Sequence, residues 1–246
     1  KPLISLTSNV LSGYNANKVV ADIQTAITNF KAPDGVQIKM GGEQEDQKET
    51  ASFLGHAMLI SLMLIFLILV TQFNSISKPF IILSEIIFSL IGVMLGFSIF
   101  KMDLSIVMTG VGFIALAGIV VRNGILLVEF TDLLREQGYT TMDAIIEAGK
   151  TRMTPVILTA FATILGLIPL AVGFNIDFVT MFTELNPHIY FGGDSVAFWG
   201  PLSWTMIFGL SFATVITLIV VPIMYLLADN AKIKAKKLIE EISPAK

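Results

Sequence analysis

Cysteine is absent from the 246-residue chain, which excludes disulfides and thiolate metal sites. Charge is scarce: Asp, Glu, Lys and Arg make up 14% of residues, against about 25% in soluble domains. No basic stripe accompanies the net charge of −3, so nothing points to nucleic acid. Also missing are a hydrolase elbow, a phosphate-binding loop, a metalloprotease helix and a dinucleotide fingerprint, which leaves no enzymatic chemistry to assign. The chain opens at Lys1 with neither a methionine nor a basic-plus-apolar leader, so its true beginning is expected to lie upstream.

What the chain has in plenty is apolar sequence, with 54% hydrophobic residues and a mean hydropathy of +0.78. Five runs are long enough to cross a bilayer: Phe53–Phe73, Pro79–Phe100, Leu104–Phe130, Pro155–Gly173 and Phe198–Leu227. The predicted fold is an all-α membrane bundle of five transmembrane helices preceded by a small α+β fragment. Its expected divisions are residues 1–50, 51–230 and a tail over 231–246. With the C-terminus inside, nine basic residues fall on inner segments and three on outer ones near the membrane. The positive-inside rule therefore places the C-terminus in the cytoplasm and the first 50 residues outside.

Residues 1–50 read as strand, helix, strand. Leu3–Val10 predicts a short strand, and Val19, Val20, Ile23, Ala26, Ile27 and Phe30 recur at helical spacing after a cap at Asn15 or Asn17. Pro33-Asp34-Gly35 turns into Val36–Met40, where apolar and polar residues alternate. Two strands and a helix cannot bury enough surface alone, so this piece should complete a sheet supplied from elsewhere. The acidic stretch Gly41–Thr50 marks a solvated entry to the first span.

Between the third and fourth spans, Thr140 caps a predicted short helix on the cytoplasmic surface, with Asp143 three residues on and Ala144, Ile145 and Ala148 as its apolar face. The outer loop Asn175–Ala197 carries turn signals at Asn186-Pro187-His188 and Gly192-Gly193-Asp194. His188, Asp177 and Asp194 match no ligand spacing and read as loop residues, so no metal is expected.

Function then falls to polar groups inside the spans. Arg122 and Asn123 stand side by side within an apolar run, about 12 Å from an end at Phe130 and so near the middle of a bilayer about 30 Å thick. A charge there costs about 2.5–3.5 kcal/mol on insertion scales. A guanidinium keeps its proton, so Arg122 can only be a fixed charge that a titrating carboxylate pairs with or releases. The proton carrier must be an acid. Glu85 lies at similar depth on the second span and offers a static partner; an acid from a helix outside this chain and snorkelling of Arg122 are the alternatives. Glu129 reads as interfacial. Thr159, Thr163 and Arg152 share one face of the fourth span, where threonines either bond the preceding turn or line a proton path, and where Arg152 also satisfies the topology rule. Gly92 and Gly96, with Gly110, Gly112 and Gly118, allow close helix contact.

Gly41-Gly42-Glu43, Thr71-Gln72-Phe73-Asn74-Ser75, the block Gly118–Phe130 and Arg152-Met153-Thr154-Pro155-Val156-Ile157-Leu158-Thr159 occur in order over nearly the whole chain. In these blocks the chain resembles the resistance-nodulation-division (RND) efflux transporters, hydrophobe and amphiphile exporter type. The resemblance implies a C-terminal portion of a twelve-helix secondary transporter, holding the last periplasmic strand–helix–strand and the final five helices. It further implies a homotrimer in the bacterial inner membrane, working with a periplasmic adaptor and an outer-membrane channel, and driven by the proton gradient with no bound cofactor. By resemblance, Arg122 stands where the family commonly has the relay lysine, followed by Asn123; Thr159 matches the relay threonine and Arg152 the cytoplasmic-side arginine. The family's paired acids belong to the missing N-terminal half. A non-pumping membrane subunit serving protein export or assembly is the competing reading.

Overall fold

A computed structural model describes residues 4, 6, 16–30, 33, 38, 43–177, 182–185 and 188–242. The chain forms two compact units, Lys1–Glu49 and Thr50–Lys246. In the first, helix α1 spans Ala16–Asn29, so Asn17 is inside the helix and not its cap. The strands predicted at Leu3–Val10 and Val36–Met40 and the alternative cap Asn15 fall largely outside the described residues.

The remaining elements are α2 (Glu43–Phe73), α3 (Ser77–Phe100), α4 (Ile106–Glu136), α5 (Thr141–Val172), β1 (Phe174–Ile176), β2 (Ile189–Phe191) and α6 (Asp194–Ile242). Among the described residues, five helices are long and apolar enough to cross a membrane: Gln47–Phe73, Ser77–Phe100, Ile106–Glu136, Thr141–Val172 and Phe198–Ala235. Their ends follow local chemistry. Lys101 closes α3 in the left-handed region at φ 52°, its N–H donating to the carbonyls of Phe97 and Ser98. The Ser105 side chain caps α4 by accepting from Met108 N at 3.4 Å. Thr140 caps α5, accepting from Asp143 N at 3.2 Å while its hydroxyl donates to Asp143 Oδ2 at 2.7 Å.

Three expectations change. The third span does not stop at Phe130 but runs on to Glu136. The segment after Thr140 is no separate surface helix: it is the start of α5, which passes through Pro155 and ends at Gly173, φ 66°. Ala144 and Ala148 are fully buried in the core, so their face is taken by other helices. Continuing the helix across Pro155 sacrifices one N–H bond but keeps the neighbouring backbone groups paired, which an apolar surrounding demands. The last helix likewise extends into the predicted tail, to Ile242.

Helix α6 packs against α3, α4 and α5 and forms the axis of the bundle. One core cluster joins Ile82, Val121, Val128, Ala144 and Val221; a second joins Val93, Leu116, Val120, Ala160 and Leu210. By contrast, only 6% of the α2 span is buried. Between α5 and α6 the loop, read from its turn signals, holds an antiparallel hairpin in register Phe174↔Phe191, whose rings sit 5.6 Å apart.

The α3–α6 contact depends on two glycines. A Cβ on Gly92 would overlap Phe212, and one on Gly96 would overlap Phe208, whose ring stacks on Phe100 and Trp204 at 5.2 Å each. Gly96→Val is expected to destabilise the bundle by about 1–3 kcal/mol through overpacking, read as a lower Tm of the detergent-purified protein. Gly166→Ala, which enters open space, should leave Tm unchanged or raise it.

Candidate functional site

Hydroxyls in this bundle mostly bond their own helix. Ser84 and Ser89 donate to Ile81 O and Ile86 O at 2.6 and 2.7 Å, Thr131 to Leu127 O at 2.8 Å, and Thr214 to Leu210 O at 2.6 Å. Thr159 and Thr163 do the same, donating to Val156 O at 3.1 Å and Thr159 O at 2.8 Å. With no water at hand, the preceding turn is the nearest acceptor.

Charged groups gather at the end of the bundle where α3 and α5 begin and α4 ends. Lys78 pairs with Asp132 at 2.7 Å, and Tyr225 OH donates to the other oxygen of Asp132 at 2.6 Å. Arg135 pairs with Asp229 at 2.8 Å, and Thr141 donates to the same carboxylate at 2.6 Å. These bonds tie α3, α4, α5 and α6 together. Nearby, the guanidinium of Arg152 lies 4.6 Å from the centre of the Phe130 ring, and its Nε is buried with no hydrogen-bond partner.

Among the described residues, one acid and one guanidinium stand near the middle of their helices. Glu85 is 1% exposed and accepts a hydrogen bond from Thr217 Oγ1 at 2.7 Å. Arg122 is exposed; it lies fourteen residues before the end of α4, about 21 Å along the axis, still close to the helix centre. Among the described residues no carboxylate comes within ion-pair distance of Arg122, so Glu85 is not its partner in this structure. The two match in depth but lie on different sides of α4. Asn123, next to Arg122, is buried at 4% exposure, while Glu129 is exposed.

Arg122 belongs to a continuous exposed stripe on α4: Val111, Ala115, Gly118, Arg122, Leu126 and Glu129, at spacings of three and four residues. The first part of the stripe is small-sided, and a Cβ on Gly118 would meet nothing. Thr159 is exposed on α5. Burial therefore separates the α4 face used inside this chain from the one left open, a division the apolar sequence conceals. Among the described residues no three His, Cys, Asp or Glu side chains gather as a metal site.

The family model described as "AcrB/AcrD/AcrF family" matches residues 1–176. The chain belongs to this family of resistance-nodulation-division transporters. It is 36% identical over 237 residues to the swarming motility protein SwrC of Bacillus subtilis, covering 96% of this chain and 20% of that protein. It is 30% identical to the cobalt-zinc-cadmium resistance protein CzcA of Cupriavidus metallidurans and 27% identical to the multidrug resistance protein MdtC of Erwinia tasmaniensis, covering 94% and 93% of this chain and 20% of each of them. A crystal structure of a heavy metal efflux pump superposes with a TM-score of 0.69 at 26% identity, over 89% of this chain and 20% of the pump. The chain thus spans a fifth of the length of these relatives.

The charged cluster in this family member offers a direct measurement. Asp132→Asn should cost about 1–2 kcal/mol, since the carboxylate serves both Lys78 and Tyr225 in a partly buried setting. A thermal-unfolding double-mutant cycle with Tyr225→Phe should then show losses that are less than additive.

Proposed function

We propose that this chain is the C-terminal membrane portion of a proton-coupled RND exporter that moves hydrophobic or amphiphilic compounds across the bacterial envelope. The observation that carries the reading is the open α4 stripe with a guanidinium at mid-span. A permanent charge at that depth calls for an opposite charge, and among the described residues no carboxylate pairs with it. Ala115 and Gly118 leave room for a neighbouring helix to come close, which suits an acid-bearing span from the missing N-terminal half.

In this scheme the acid, when ionised, pairs with Arg122; protonation from the periplasmic side breaks the pair and frees α4 to shift. Arg122 itself never titrates, so its part is to hold and release. Asn123, on the buried side of α4, anchors the segment in the bundle. Thr159 supplies a hydroxyl that can exchange its backbone bond for a bond to the relay, and Arg152 sets a positive charge near the cytoplasmic mouth of α5. The transporter sits in the inner membrane with residues 1–50 periplasmic and the C-terminus cytoplasmic, as the basic residues indicate. It works as a homotrimer with a periplasmic adaptor and an outer-membrane channel, and the proton gradient is its energy source.

A second reading is a membrane subunit that serves protein export or assembly without pumping; one relative, SwrC, is named for swarming motility and not for efflux. One experiment separates them. Arg122→Gln in the whole transporter should abolish proton-dependent export of an amphiphilic dye from cells or liposomes, with Arg122→Lys keeping part of it. Full export by Arg122→Gln would reject proton coupling through this residue. Loss of assembly or secretion with unchanged dye tolerance would select the second reading.

A further inference from the structure

Glu85 has a more specialised setting than a packing role requires. It lies in α3 at 1% exposure, enclosed by α4 and α6. From α6, Thr217 donates to Oε2 at 2.7 Å, departing from Ser211 and Thr214, which bond back to Ile207 O and Leu210 O at 2.6 Å each. Oε1 is buried and has no hydrogen-bond partner. From α4, Gly124 closes the site: a Cβ there would overlap Oε1, so the carboxyl rests directly on the α4 backbone.

Among the described residues no positive charge pairs with this acid. On α3 the nearest is Lys78, two turns away and bonded to Asp132 at 2.7 Å. On α4 the nearest is Arg122, about 200° around the helix from Gly124 and exposed. Helix α6 has no charged residue between Asp194 and Asp229, and α2 has none from Ala57 to Phe73. An ionised Glu85 would have one donor and no cation, the arrangement that buried charge tolerates least. A neutral carboxyl fits.

We propose that Glu85 is a further proton-exchange site of the transporter, placed against the side of α4 that faces away from Arg122 and joined to α6 through Thr217. The assignment rests on the proton-coupled reading of the bundle and extends it to a group that reading does not use. Release breaks the carboxyl O–H bond, leaves a carboxylate and passes the proton to water. Water reaches Glu85 only when α3, α4 and α6 part, so exchange is tied to opening. The same opening moves Gly124, and with it the segment that carries Arg122 and Asn123. Helix α4 is then flanked by proton chemistry on two sides.

Infrared difference spectroscopy of the whole transporter in liposomes, stepped through pH, tests this directly. A carboxylic acid C=O stretching band should disappear at alkaline pH in the native protein and in Arg122→Gln, and be missing throughout in Glu85→Gln. Thr217→Val, which removes the single donor to the carboxylate, should move the midpoint of that band about one pH unit higher, tenfold in proton concentration. Spectra of Glu85→Gln and native protein that coincide at every pH would overturn the assignment, as would an unmoved midpoint in Thr217→Val. Because the band is read without transport, export by Arg122→Gln fails or survives independently of it.

Discussion

Inside a bilayer a polar group can bond only to protein, and that constraint arranges the whole bundle. Serines and threonines turn back onto their own helices, as Thr131 and Thr214 do. At one end of the bundle Lys78 pairs with Asp132 and Arg135 with Asp229. Among the described residues, the carboxyl of Glu85 and the guanidinium of Arg122 are left near mid-span, and they receive opposite treatment. Glu85 is enclosed and bonded to Thr217, while Arg122 stands on a face that the chain leaves bare.

Helix α4 is therefore the element where structure and function meet. One side, with Val120, Val121, Gly124 and Val128, is packed into the bundle against α3 and α6. The other side carries the stripe through Gly118 and Arg122. In the proposed scheme, a helix with one side fixed to its own bundle and one side bare around a guanidinium is suited to relay a shift between them. The tight contacts of Gly92 and Gly96 with the α6 aromatics make α3 and α6 a firm support for that shift.

Much of the fold was legible because membrane spans announce themselves by length and hydropathy. Thr140 was legible as a cap because an N-terminal hydroxyl followed by an acid three residues on has one local use. Its helix was expected to end before Pro155, and there local rules lost to the environment: an unbroken helix keeps backbone groups paired, and the buried Ala144 and Ala148 reward it. The hairpin Phe174–Ile176 with Ile189–Phe191 escaped notice because each strand is three residues long, too short for alternation to show.

The sequence by itself determined the family, the five spans, the near-central position of Arg122 and Glu85 along their helices and the backbone bonding open to Thr159 and Thr163. Depth follows from counting residues along an axis at fixed rise, so no neighbour is needed to know it. Only the tertiary structure decided azimuth. Rotation of each helix about its axis is set by packing, and it turned Glu85 toward Thr217 and Gly124 while turning Arg122 outward. Two ionisable side chains of similar depth ended on different sides of α4 because a helix has sides as well as length.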